Sequence, residues 1–227
     1  MAGEGGFIYE AKIHNKLKSK KLVPKNFVPA GSDSNAPDAM FIYNDKDHKL
    51  ELKLDLKADY GQGSFDYLNN RWTLGGANTA SAEEMRQLLK SVGIEDFANK
   101  TWGPKGPPNK GTKDNKLITK EDVASDYSRF KDAFLPIKSS ALHSYYGSKS
   151  TYYIQIGGYG MYYMAQNPAG LDIPQFNPNL RIRIRLKRGG SSPIYNYRFT
   201  TALQIIGKPP HSSHNLDTSV DFLIQKQ

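Results

Sequence analysis

Asp38 stands directly after Pro37, and twelve residues separate it from the run Glu51-Leu52-Lys53. These residue types suit one kind of chemistry. Carboxylates are hard oxygen donors, and one or two of them, with waters and a substrate phosphate, are the usual way a protein holds Mg²⁺. A metal so placed polarises a phosphoryl oxygen and makes bound water more acidic. An ammonium beside it can position the attacking water or offset charge developing on the phosphoryl oxygens. Asp38, Glu51 and Lys53 therefore hold the parts for metal-assisted phosphodiester hydrolysis, provided that the fold brings them together.

The elements that must do so are legible. Residues Ala39 to Tyr43 (AMFIY) form a short apolar run, Asn44 to Asp47 are turn-forming, and Lys49 to Lys57 (KLELKLDLK) alternate. The pattern predicts a β-hairpin. Successive side chains of a strand point to opposite faces, so Leu50, Leu52, Leu54 and Leu56 share a buried face, and Glu51, Lys53, Asp55 and Lys57 share the other. Pairing would set Asp38, at the start of the first strand, beside Glu51 on the second. The bland alternative is a solvated face of an edge strand, with Asp38 a turn residue.

The residues Pro37, Asp38, Glu51 and Lys53 resemble the signature of the PD-(D/E)XK nuclease superfamily, which has the restriction-endonuclease-like fold. The resemblance implies that Asp38 and Glu51 ligate metal, that the Leu52 carbonyl is an additional ligand, and that Lys53 assists the nucleophile. It also implies a place for an acid on the first helix, where Glu10, in Gly6-Phe7-Ile8-Tyr9-Glu10, would complete the metal shell. Gln62 and Tyr67 loosely resemble a Gln and a Tyr found on the next strand in some branches, although the spacing departs from theirs.

Composition sets the bounds. The chain has 227 residues, enough for one ample core or a core with a small subdomain. Hydrophobic residues make up 38%, yet the 14 tyrosines, 10 phenylalanines and 2 tryptophans can still build an interior. No apolar run approaches the length of a membrane span, and the first residues lack the pattern of a secretory signal. Without cysteine there are no disulfides, thiolate chemistry or Cys-based zinc sites, which fits a cytoplasmic protein, or a host-cell cytoplasm if the source is a phage. The net charge of +9 is unevenly spread: residues 133–227 carry ten basic side chains against three acidic ones. A basic region beside a carboxylate-bearing one suits an enzyme working on a phosphate backbone.

Along the chain, Gly5 to Lys21 read as a helix with Phe7, Ile8, Ala11, Ile13 and Leu17 on its apolar face, ended by Pro24. Residues Tyr60 to Gly75 suggest a third strand or hairpin at the edge of the site. Ser81 to Val92 suggest a helix closed by Gly93, and Asn99 to Asn115, rich in Pro, Gly and Lys, a loop anchored by Trp102 that could act as a cationic flap. Thr119 to Leu142 resume helical periodicity, with Val123, Phe130, Phe134 and Leu135 inward and Pro136 breaking the helix. Gly157 to Gly160 join two strands, YYIQI and MYYM, within a stretch holding seven tyrosines between 145 and 163. These hydroxyls and rings could contact nucleotides or simply pack. The divisions that follow are a catalytic core at 1–98, a basic loop at 99–118, and a helix with a basic β-rich part at 119–227 completing the same domain.

The run from Arg181 to Lys187 alternates throughout, setting Arg181, Arg183, Arg185 and Lys187 on one face and Ile182, Ile184 and Leu186 on the other. Like charges on one strand face repel, so nucleic acid, acidic neighbours or solvent must compensate them. Arginine adds forked donors for phosphates. Tyr195 to Ile206 supply a neighbouring strand, and none of the five histidines shows a convincing metal spacing. Together these features predict an α/β protein with a restriction-endonuclease-like mixed central sheet flanked by helices and an additional β-rich C-terminal part. The expected activity is that of a DNA endonuclease dependent on Mg²⁺, with Mn²⁺ as a substitute, of site-specific restriction or homing type. A structure-selective nuclease, such as a junction resolvase or repair enzyme, and an inactive DNA-binding module of the same fold are the alternatives. DNA is the expected partner, with a homodimer by family analogy and no membrane.

Overall fold

A computed structural model describes residues 4–29, 36–76, 79–103, 120–189 and 196–224. It is a mixed α/β chain with two sheets and several helices. The backbone divides into two compact units, each discontinuous in sequence: unit 1 is residues 1–58, 138–179 and 205–227, and unit 2 is residues 59–137 and 180–204. The boundaries read from sequence at 98 and 118 thus both fall within unit 2.

Unit 1 is built on a four-stranded mixed sheet. Strand β1 (Ala39–Tyr43) pairs antiparallel with β2 (Lys46–Lys53), β2 pairs parallel with β6 (Tyr153–Ile156), and β6 pairs antiparallel with β7 (Gly160–Tyr163). Asn44 and Asp45 both have positive φ, the two-residue turn whose twist suits a hairpin, so β2 begins at Lys46, earlier than the alternation suggests. It also ends earlier. Leu54 and Leu56 leave the strand, and Leu54 is 44% exposed: pairing with β6 ends at Lys53 opposite Ile156, and the Gly157 amide makes the last contact, donating to the Lys53 carbonyl at 2.8 Å.

Helix α1 (Glu4–Ser19) covers one face of this sheet through Tyr9, Ile13 and Leu17, which pack with Ala39, Phe41, Leu50, Leu52 and Tyr153. Phe7 and Ile8, expected inside, are exposed. The helix stops before Pro24 through a Schellman closure. The Leu22 amide donates to the Leu17 carbonyl and the Lys21 amide to that of Lys18, with Lys21 itself left-handed. Residues 207–224, including a 3₁₀ turn at Asp221–Leu223, join the same core through Leu216, Val220 and Leu223. Buried Gln155 fastens them by donating to Asn215 Oδ1 and accepting from the Leu216 amide.

Unit 2 carries a five-stranded sheet ordered β4-β3-β9-β8-β5, from β3 (Gln62–Leu68), β4 (Arg71–Gly75), β5 (Ala133–Ile137), β8 (Asn179–Gly189) and β9 (Asn196–Ile206). Trp72, Trp102, Phe130 and Phe199 form its aromatic centre, with ring separations of 4.3 to 6.0 Å. Helix α2 (Ala80–Ser91) is capped by Thr79, whose side chain accepts from the Ala82 amide, and the left-handed Gly93 closes it. Helix α3 (Ile94–Trp102) seals the β4 edge: Asn99 exchanges two hydrogen bonds with the Trp72 backbone, and Glu95 accepts from the Leu74 amide.

Two expectations are corrected here. Asn99 to Trp102, read as loop, complete α3, because Ile94, Ala98 and Trp102 recur at helical spacing on a buried face; the expected flap from 104 to 115 lies outside the described residues. The single helix expected from Thr119 to Leu142 is a helix, a strand and a helix: α4 (Lys120–Arg129), β5 and α5 (Ser139–Ser148). Phe130 is buried as expected, but Phe134 is 41% exposed, and Pro136 sits in an edge strand, where its missing N–H is tolerated.

Candidate metal and phosphate site

Three pieces of unit 1 meet around Glu51: strand β2, the residues just before β1, and helix α5. Glu51 and Lys53 lie two apart on β2, so they share a face, and the Lys53 ammonium is 2.5 Å from Glu51 Oε1. Both side chains are largely enclosed, 16% exposed for Lys53 and 13% for Glu51. Asp38 precedes β1, and its Oδ2 accepts from the Leu52 amide at 2.9 Å. That bond docks the start of one strand on the end of its partner, beyond the last β1–β2 pair, Ala39 with Leu50. In an extended strand a residue's amide and carbonyl emerge on the same edge, so the Leu52 carbonyl lies on the Asp38 edge too.

Helix α5 supplies the component that sequence reasoning did not place. The Tyr146 hydroxyl, fully enclosed, donates to Glu51 Oε1 at 2.9 Å. Tyr145 packs beside it, with ring centroids 5.0 Å apart, and carries the Lys149 ammonium over its ring. The cluster of tyrosines was visible in the sequence, but a contact spanning 95 residues leaves no local spacing to read.

The electrostatics follow from enclosure. Burial and then the neighbouring Glu51 charge push the Asp38 carboxyl up to about 7, outweighing the Lys53 ammonium and the Leu52 N–H that favour its ionised form. Burial acts against the Lys53 charge, but Glu51 and Asp38 together hold its pKa above the ordinary value. Glu10, on α1, is raised by burial and by Glu51, and lowered by Lys53, so it stands in the same field. Burial lifts the Tyr146 hydroxyl well above its usual range, which keeps it a neutral donor.

Asp38 and Glu51 are thus two carboxyl groups close enough for the Glu51 charge to raise the Asp38 value, with Lys53 opposing that rise. Two carboxylates and a backbone carbonyl are oxygen donors that fit a hard divalent cation retaining several waters. Among the described residues no group of three His, Cys, Asp or Glu side chains could hold a metal ion, so Glu10 does not complete a three-carboxylate cluster. The histidines are engaged elsewhere: His48 is buried between the rings of Phe41 and Tyr153, and His143 Nε2 lies 2.6 Å from the Phe176 carbonyl. Gln62 and Tyr67 belong to unit 2, where Gln62 donates to Asp59 and Tyr67 packs on Trp72.

In unit 2, β8 places Leu180, Ile182, Ile184 and Leu186 in the interior and Arg181, Arg183 and Arg185 half-buried on the other face, with Lys187 exposed. The strand lies between β9 and β5, not at an edge. Its charges are partly compensated from within. Arg181 stacks on Phe134 at 4.1 Å and donates weakly to Gln204, while Arg183 is 4.0 Å from Asp59. No helix among the described residues is long and apolar enough to cross a membrane. Comparison of the chain with protein-family models, with curated proteins and with solved structures finds no match.

Proposed function

We propose that the chain is a metal-dependent DNA endonuclease of the PD-(D/E)XK type, with unit 1 as its restriction-endonuclease-like catalytic part. One observation carries this reading: Asp38, docked on the Leu52 amide, is close enough to Glu51 for that charge to raise its pKa, with the Lys53 ammonium on Glu51. The order of elements supports it as well, because a helix bearing Glu10 precedes a hairpin bearing Asp38 and Glu51, and α5 leads to a strand parallel to β2.

In this reading Asp38, Glu51 and the Leu52 carbonyl hold Mg²⁺, or Mn²⁺ in its place. The ion supplies Lewis acidity toward the phosphodiester and a more acidic bound water. Lys53 releases part of its hold on Glu51 to orient the attacking water and to offset charge on the phosphoryl oxygens, a task its long stem and three donors allow. Glu10 adds negative field without direct ligation. Arg181, Arg183, Arg185 and Lys187 hold the DNA backbone. Restriction or homing specificity suits a chain that devotes a whole second unit to something other than this site, and cutting both strands would call for two copies.

A second reading, an inactive DNA-binding module, is favoured by the absence of a three-carboxylate group among the described residues and by the ion pair already satisfying Glu51. Supercoiled plasmid incubated with the chain in Mg²⁺, Mn²⁺ or EDTA, beside Glu51→Ala, separates the two. The nuclease converts plasmid only with metal and loses this with Glu51→Ala. Retardation of DNA with no conversion under any condition would establish the binding module instead.

A further inference from the structure

The hydroxyl of Tyr146 and the ammonium of Lys53 fall on the same oxygen, Glu51 Oε1, at 2.9 and 2.5 Å. The two donors differ in what they do to the carboxylate. Lys53 brings a full positive charge, which lowers the value of Glu51 to a cation, and it sits on a flexible stem that hydrolysis requires to move. Tyr146 brings no charge to the carboxylate, and its ring is buried on α5 against that of Tyr145. Whatever Lys53 does, one constraint on the Glu51 rotamer persists. Ligating carboxylates are commonly held in this way by a second set of hydrogen bonds, whose loss weakens metal binding.

We infer that Tyr146 is a positioning residue that orients Glu51, by its hydroxyl on Oε1, to present the other carboxylate oxygen to a divalent cation alongside Asp38. The inference rests on the metal-site reading above. It explains why a buried hydroxyl, which any backbone carbonyl could satisfy, is aimed at a charged side chain on a strand 95 residues away. A hydroxyl that acts on the metal site through Glu51 must lose its effect there when Glu51 is gone.

A double-mutant cycle on the full chain tests this, reading Mn²⁺ binding by calorimetric titration without DNA, so that no turnover enters. Wild type, Tyr146→Phe, Glu51→Ala and the double variant are compared, with the thermal midpoint of each recorded. Tyr146→Phe keeps the ring and should bind Mn²⁺ roughly tenfold more weakly or worse. The same change in the Glu51→Ala background should alter binding by less than about twofold. In cleavage, Tyr146→Phe should raise the metal concentration for half-maximal rate and leave the rate at saturating metal within a few fold.

Unchanged Mn²⁺ affinity in Tyr146→Phe, or equal losses in both backgrounds, would overturn the positioning role while leaving the metal site intact. A Tyr146→Phe chain that no longer unfolds cooperatively would assign the hydroxyl to the fold and overturn it too. Wild type showing no Mn²⁺ binding sensitive to Glu51 would instead remove the metal-site reading itself, a distinct result.

Discussion

At the scale of single residues, Asp38 is where stability and the proposed function oppose each other. Its carboxyl is pushed up to about 7 by burial and by Glu51, against an ordinary value of 3.8. Because the folded value is the higher one, the group's contribution to stability is present in full below about 3.8 and is lost as pH rises through about 7. Asp38→Asn removes that penalty, since an amide oxygen can still accept from the Leu52 N–H. The variant should therefore gain thermal stability over wild type at pH 8 and little at pH 4, while losing cleavage. Thermal midpoints across this range check the sign, and an advantage that is no larger at pH 8 would contradict it. Metal needs the ionised carboxyl, so at limiting Mg²⁺ the cleavage rate should fall about tenfold per pH unit below about 7, and more Mg²⁺ should move the midpoint lower. Asp38, Glu51 and Lys53 were legible in sequence because their spacing is local to one hairpin. Tyr146 was not, since its contact with Glu51 depends on a crossover that delivers α5 to the opposite side of the sheet from α1.

At the scale of elements, the end of β2 decides where Lys53 points. The strand was expected to run to Lys57, because alternation of Leu with charged residues continues to that point. Its partner β6 ends at Ile156, opposite Lys53, and nothing in the segment itself marks that point. A Cβ on Gly157 would lie 2.0 Å from the Leu54 carbonyl oxygen, so only glycine lets β6 approach there. The helix read from Thr119 to Leu142 failed for a similar reason: Ala133 to Ile137 pair with Ile184 to Leu180, and a partner strand outweighs local periodicity. The Asn44-Asp45 turn, by contrast, was readable, since those residue types tolerate the positive φ that a two-residue hairpin needs. Gly157→Ala should push the Lys53–Leu54 backbone away from β6, costing about 1–3 kcal/mol as overpacking does, and should reduce cleavage with it. Gly158→Ala is the control, because its Cβ meets nothing within 4 Å and only its left-handed φ of 75° is strained. It should lose about 1–2 kcal/mol and keep cleavage at temperatures where it is folded. Equal retention of cleavage by both folded variants would show that this approach of Gly157 does not position Lys53.

At the scale of the whole molecule, the chain passes between its two units four times, and unit 2 is closed by strands that return after more than a hundred residues. No composition shift marks those crossings, which is why the sequence suggested a continuous core followed by a basic half. The basic strand itself was legible, and the structure adds that its four charges are not equivalent. Arg181 and Arg183 have internal partners in Phe134, Gln204 and Asp59, so removing them would disturb unit 2 as well as any ligand. Arg185 and Lys187 give the cleaner test, being half-buried and exposed on the same strand face. Joint Arg185→Gln and Lys187→Gln should weaken duplex binding in EDTA at every sequence tried, because side chains that hold phosphates read no sequence. The slope of log affinity against log salt should shrink by ~0.9 for each phosphate that the variant no longer neutralises. Mn²⁺ binding should remain as in wild type, since Asp38, Glu51 and Tyr146 all belong to unit 1. Unaltered affinity and salt slope would exclude this end of β8 from the interface and leave the excess of basic charge in residues 133–227 to a different surface.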